Sequence, residues 1–322
     1  MTFISYQEAE EIVDRFIGLL ARHSINPPPG SGIEAELLSI VQMLQPGANP
    51  PTPTLLPIGG GILDLAAKLL AISTQPEFNT FTPHLQLFAS NAPLATAVQT
   101  MPGQPTDDVH RKLNELYLGS LAVHLGHKVE LDHPSAAVGD NPDVLFDLMS
   151  ADGTATTRWA LAIKTISTQS GQTIFERIQE ASQQINAPRC PAERGMVVIN
   201  TQGSLNHSDL WTARYGNVTE AITAVKQQIK ALVDKAHAGR PISDWVGALY
   251  GKASPVVLYI GHAVVRVPTA ISRSTPTVIK VAVTDQPSQQ PDQLGMLVAD
   301  RLNHYMQTIN RGVPGGAQTE PS

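Results

Sequence analysis

Three polar residues interrupt patterns that are otherwise apolar. Glu115 breaks the apolar face of LNELYLGSLAVHL, Asp143 follows Asn141 and Pro142 at the head of VLFDLM, and Lys164 sits late in ALAIKTI between Ile163 and Thr165. Carboxylates brought into one small volume repel each other. A divalent cation relieves that repulsion while it polarises a phosphoryl oxygen and lowers the pKa of a bound water. A lysine beside them orients or deprotonates that water and stabilises the charge that develops on the phosphate. Together the three residue types point to phosphodiester hydrolysis. Each alone has a plainer reading: a strand lysine lays its stem along a sheet edge, and a Pro-Asp pair opens a turn.

The chemistry requires elements that bring the three together. TDDVHRKLNELYLGSLAVHLG, with apolar residues at Leu113, Leu116, Tyr117, Leu121 and Leu125, predicts a helix capped by Thr106 and ended near Gly126. HKVEL predicts a short strand, and DVLFDLM a strand of period two. ADGT makes a hairpin turn and RWALAIKTIS a long strand. FERIQEASQQI is a helix, and GMVVINTQG a nearly all-apolar strand of the kind found in a sheet centre. Alternate strand residues share a face, so Ala160, Ala162 and Lys164 point together, and a hairpin pairing would set Asp143 and Lys164 at one sheet end. Further on, a helix is expected from Thr219 to Ala236, strands over SPVVLYIGHAVVRV and TVIKVAVTD, and a helix from Gln293 to Thr308.

Glu115 in a helix, followed by GHKVEL, NPDVLFDL, ALAIKT, FERIQEASQQI and GMVVINTQG, resembles the core of the PD-(D/E)xK nuclease superfamily over residues 106 to 203. The resemblance implies a restriction-endonuclease-like α/β fold, a mixed central sheet flanked by helices. It implies Asp143 and Glu115 as ligands of Mg2+ or Mn2+, and Lys164 as the residue that assists the attacking water. One position departs from the pattern: two residues before the lysine, where the family has an acid, stands Ala162. Some restriction enzymes of the superfamily carry that acid on the following helix, where Glu176 and Glu180 lie here, four apart and on one helix face. Gln179 and Gln183 share that helix. The alternative is that Glu176 and Glu180 are exposed helix acids and catalysis has been lost.

The first hundred residues differ in texture. Amphipathic spacing at Ile12, Phe16, Leu19 and Leu20 predicts a helix over Tyr6–His23, with others over Ile33–Leu44 and Ile62–Ser73, separated by NPPPGSG and QPGANPPTPTLLPIGGG. Gly59, Gly60 and Gly61 read as a flexible turn, since no strand and GxxxxGK[ST] pattern precedes them. The expected division is a helical appendage with Pro-rich linkers over 1–104, the α/β domain over 105–310 and a disordered tail over 311–322.

Cys190 is the only cysteine, which excludes an intramolecular disulfide framework and multi-thiolate zinc sites. The opening MTFISYQEAEEIVDR is acidic and has no basic flank before an apolar run, and Leu55–Ile72 is broken by Pro57, three glycines, Asp64 and Lys68. These point to a cytoplasmic protein with no membrane partner. Net charge is −6 overall, but the segments 1–104, 105–203 and 204–322 carry −5, −4 and +3. A polyanion should lean on the C-terminal third, with marked salt sensitivity. His124 and His127, near Asp132 and His133, could bind a transition metal or be surface histidines. Trp159, Trp211 and Tyr215 could stack on bases, although core packing suits them better.

The reading is metal-dependent cleavage of nucleic acid, most readily DNA. Its rivals are an inactive nuclease-fold module that binds nucleic acid or a protein, and a scaffold whose N-terminal helices bind a partner or a second copy of the chain.

Overall fold

A computed structural model describes residues 6–27, 37–38, 40–42, 45, 55–90, 108–132, 141–150, 152–268 and 275–308. The described helices are α1 Tyr6–Arg22, α2 Leu55–Ile72, α3 Thr82–Ser90, α4 Asp108–Leu125, α5 Gly171–Asn186, α6 His207–Thr212, α7 Val218–His237, α8 Ile242–Ala248 and α9 Gln293–Thr308. The strands are β1 His127–Leu131, β2 Val144–Met149, β3 Thr156–Thr165, β4 Arg194–Asn200, β5 Ala253–Val267 and β6 Thr275–Asp285, with short 3-10 turns at Pro76–Phe81 and Gln202–Ser204. The expected tail from 311 and most of the expected helix 33–44 lie outside the described residues; 37–38 and 40–42 are helical.

The strands form one mixed sheet in the order β1-β2-β3-β4-β5-β6. β1, β2 and β3 make an antiparallel meander, β3, β4 and β5 run parallel, and β6 returns antiparallel to β5. At the β2–β3 turn Gly153 takes φ +71°, and the Asp152 carboxylate accepts from the Ser150 hydroxyl and the Thr154 N–H. The register Val144↔Leu161 to Met149↔Thr156 is pinned across the pair by Arg158, whose Nη1 stands 2.9 Å from Asp147 Oδ1.

Side-chain alternation divides the sheet into two buried faces. On the first, Val144, Phe146, Trp159, Leu161, Met196, Val198 and Leu258 pack under α1, α2, α4 and α9. On the second, Ala160, Ala162, Val197, Ile199, Val257 and Tyr259 pack under α5 and α7, which supply Ile174, Ile178, Val225 and Ile229. The N-terminal helices therefore share one core with the sheet: Phe16, Leu63 and Leu69 are buried in the same cluster as the strands.

Three short helices, α3, α6 and α8, were not expected, and α2 differs from its expectation. The helix expected from Ile62 starts at Leu55, and the three glycines lie inside it. Pro57 stands in the first turn, where its missing N–H costs no helical bond. Gly61 leaves room for the Gln202 amide, since a Cβ there would stand 3.3 Å from its side-chain atoms.

Candidate functional site

β2 and β3 carry two of the three chemistry-bearing residues. Val144 pairs with Leu161, which sets Asp143 level with Ala162 and two residues from Lys164 at the same end of adjacent antiparallel strands. By alternation Asp143 falls on the face of Leu145, and Lys164 on the face of Ala160 and Ala162, so both belong to the second face. Asp143 is buried, and its Oδ2 accepts the Ile163 N–H at 2.6 Å, extending the ladder by a side chain just before β2 begins. Lys164 is half-buried in β3, opposite Ile199 of β4.

Glu115 sits in the helical layer over the first face. Its Oε2 accepts from Lys112 Nζ at 2.7 Å and lies 3.1 Å from His84 Nε2. Lys112 also stands 3.6 Å from Asp132 Oδ2. Asp132 in turn donates its backbone N–H to the Asp143 carbonyl.

Glu176 and Glu180 take the solvent side of α5. The buried side of that helix is Ile174, Phe175, Ile178, Ala181 and Ile185, a spacing that leaves positions 176 and 180 outward. Glu176 accepts from Gln172 at 2.8 Å, and Glu180, 45% exposed, pairs with Arg177 at 2.7 Å. Ala162 is fully buried in the apolar layer beneath α5. Among the described residues no group of three or more His, Cys, Asp or Glu side chains is placed to hold a metal ion. Ala162 supplies no ligand atom and the two helix acids bond to their own helix. The residues present do not fit a magnesium centre of the kind the resemblance implies.

Sequence reasoning missed a polar cluster at the same sheet end as Lys164 but on the first face. Asn114, one residue before Glu115, donates to Thr165 Oγ1 at 2.9 Å and accepts from Asn200 Nδ2 at 2.8 Å, while Asn200 Oδ1 accepts the Gln202 N–H at 3.0 Å. The relay ties α4 to the C-terminal ends of β3 and β4. Parallel strands commonly present ligand sites at such ends. His207 Nε2 donates to the Gln202 carbonyl at 2.8 Å, and burial holds this imidazole below its ordinary pKa, partly offset by that carbonyl. The signal available in sequence was an Asn at the close of a buried strand, where an apolar residue is expected.

Among the described residues the weaker constellations resolve as packing; His133 lies outside them. α4 ends at Leu125, and Gly126 lets the Asp147 backbone approach where a Cβ would overlap it. His124 then packs on Tyr305 at 5.3 Å, and His127 faces Asp147 at 3.9 Å. Trp159 and Trp211 are buried, with Arg194 and Arg266 over their rings. Cys190 is buried before β4. No helix of the described residues is long and apolar enough to cross a membrane. No family model, curated protein or solved structure matches the chain.

Proposed function

We propose that the chain is a nuclease-fold module that binds nucleic acid, DNA foremost, at the C-terminal ends of β3 and β4, without metal-dependent cleavage. The observation that carries this reading is the fate of the missing acid: Ala162 lies in an apolar layer while Glu176 and Glu180 bond to their own helix on its solvent side. The order helix, strand, hairpin, helix, strand around a mixed sheet supports the restriction-endonuclease-like scaffold. At one sheet end Lys164 supplies a cation on the second face, and Thr165 with the amides of Asn114 and Asn200 supplies hydrogen-bond donors on the first, both suited to phosphate oxygens.

A second reading, hydrolysis, is favoured by one observation, the common face and common sheet end of Asp143 and Lys164. Fluorescence anisotropy with duplex and single-stranded DNA, run beside a cleavage assay in Mg2+ and Mn2+, separates the two. Binding that weakens about tenfold in Lys164→Met, a loss of roughly 1.4 kcal/mol, with no strand cleavage, is the expected result. Cleavage that Asp143→Ala abolishes would establish hydrolysis. Absence of binding to any nucleic acid at low salt would leave the scaffold.

A further inference from the structure

The magnesium that the resemblance assigns to Glu115 disagrees with the surroundings of that residue. Lys112 lies one helical turn before Glu115 on α4, the spacing at which side chains of a helix meet. Its Nζ stands 2.7 Å from Glu115 Oε2, 3.4 Å from the backbone carbonyl of Asp132 and 3.6 Å from Asp132 Oδ2. His84 Nε2 approaches the same glutamate oxygen at 3.1 Å. The side chains of Glu115 and His84 are each 1% exposed, Lys112 10% and Asp132 14%.

Two carboxylates and a carbonyl are the oxygen ligands that a hard divalent cation takes. Here an ammonium stands among them, with three donors to direct and a charge that opposes entry of a second cation. We infer that the Lys112 ammonium holds the place of the divalent ion, so that Glu115 is a structural acid compensated from within the chain. This deepens the proposed function and rests on it, because it commits the helix acid that the resemblance assigns to a metal to an ion pair within the chain. The ammonium also performs a mechanical task. Asp132 closes β1, its N–H bonds to the Asp143 carbonyl, and Asn141 Nδ2 lies 3.3 Å from its Oδ1. One charge therefore fastens α4 to the backbone entering β2, which makes Lys112 a positioning residue for Asp143.

The test uses the full chain, with Mn2+ alone as probe and thermal melting as readout. The wild-type Tm is expected to be indifferent to Mn2+. Lys112→Ser, which removes the charge and leaves space, should lose several degrees and recover part of them in millimolar Mn2+. Adding Glu115→Gln to that variant should erase the recovery. A wild-type Tm that rises with Mn2+ and stops rising in Glu115→Gln would overturn the inference, as would a folded Lys112→Ser that ignores the ion. Should Lys112→Ser fail to fold, a double-mutant cycle of Lys112→Met and Glu115→Gln decides. If the two charges answer each other, the double variant melts above the sum of the single losses, and strictly additive losses overturn the inference. DNA affinity is measured separately on the wild type. Its absence would remove the proposed function while leaving the Mn2+ result intact.

Discussion

Asp64, on α2, is fully buried, with Oδ1 2.8 Å from Lys280 Nζ and 3.3 Å from Lys68 Nζ; its Oδ2 accepts from the Tyr117 hydroxyl at 2.7 Å and faces His262 Nε2 at 3.2 Å. Burial would raise the carboxyl pKa, but Lys280, Lys68 and His262 together hold it well below the carboxylate range. Burial and then the neighbouring Asp64 charge push the Tyr117 hydroxyl well up. Asp64→Asn would leave two buried ammonium groups facing each other without their carboxylate. The expected loss is about 3–5 kcal/mol in urea denaturation. Lys68→Met should cost less, because Asp64 keeps Lys280, His262 and Tyr117. Lys68 also carries a pH signature: burial pulls its pKa down, Asp64 partly restores it, Lys280 lowers it again, and the result is about 8 against an ordinary 10.5. Below its folded pKa both folded and unfolded chains hold the proton, and the cost of the buried charge is full. Between the two values the unfolded chain binds more protons, so stability rises with pH. Wild type should gain on Lys68→Met across that window, and a constant difference between them would contradict the assignment. In sequence Asp64 and Lys68 read only as charges that break an apolar run. Their meeting with Lys280, 216 positions away, is a tertiary fact that no local pattern carries.

At the scale of elements, α5 begins against the end of α7. A Cβ on Gly171 would overlap the Lys235 carbonyl, so the two backbones touch where only glycine fits. Gly171→Ala should therefore destabilise by about 1–3 kcal/mol as the helices are forced apart. Gly247, in α8, has nothing within 4 Å of such a Cβ. Gly247→Ala should be stabilising by roughly 0.5–1 kcal/mol through helix propensity. Equal effects in chemical denaturation would reject the close contact. Strands and helices of the sheet region were legible because burial imposes clean periods on them. β1 falls on HKVEL, α9 on Gln293–Thr308, α4 and β3 within about two residues of their expected ends, and β4 ends three residues earlier than expected, at Asn200. α2 was not, because its glycines and Pro57 signal a turn locally, while the buried run from Ile62 to Ile72 packs the rest of the helix against the sheet core. The short helices α3, α6 and α8 carry too few turns for a period to show. Asp143 and Lys164 were placed correctly at one strand end, since a hairpin register follows from its turn. Glu176 and Glu180 could not be placed, because a helix face shared by two acids says nothing about which way that face turns.

For the whole molecule, the overall charge of −6 opposes a polyanion, so binding must come from a local field that outweighs the rest. Lys226 and Lys230 are exposed and four apart on α7, and Lys235, also exposed, reaches Gln169 Oε1 at 2.8 Å in the segment between β3 and α5. That segment leaves β3 just after Lys164, which connects Lys235 to the candidate site, while Lys226 and Lys230 stand on the other exposed flank of α7. Each phosphate that a lysine neutralises releases counterion and contributes about 0.9 to the slope of log affinity against log salt for duplex DNA. Reversing all three lysines to glutamate should flatten that slope by roughly 2–3 and weaken binding across sequences alike, since contacts to phosphate carry no base information. Arg189 is exposed in the loop entering β4 from the opposite end of the sheet, and Arg189→Glu changes the total charge with no bearing on this face. Anisotropy titrations over a salt series should therefore show a reduced slope for the α7 variant and an unchanged one for Arg189→Glu. If Arg189→Glu shifts the slope as much per charge as the α7 set, attraction is a property of total charge. The face beside Lys164 would then lose its claim as the binding surface.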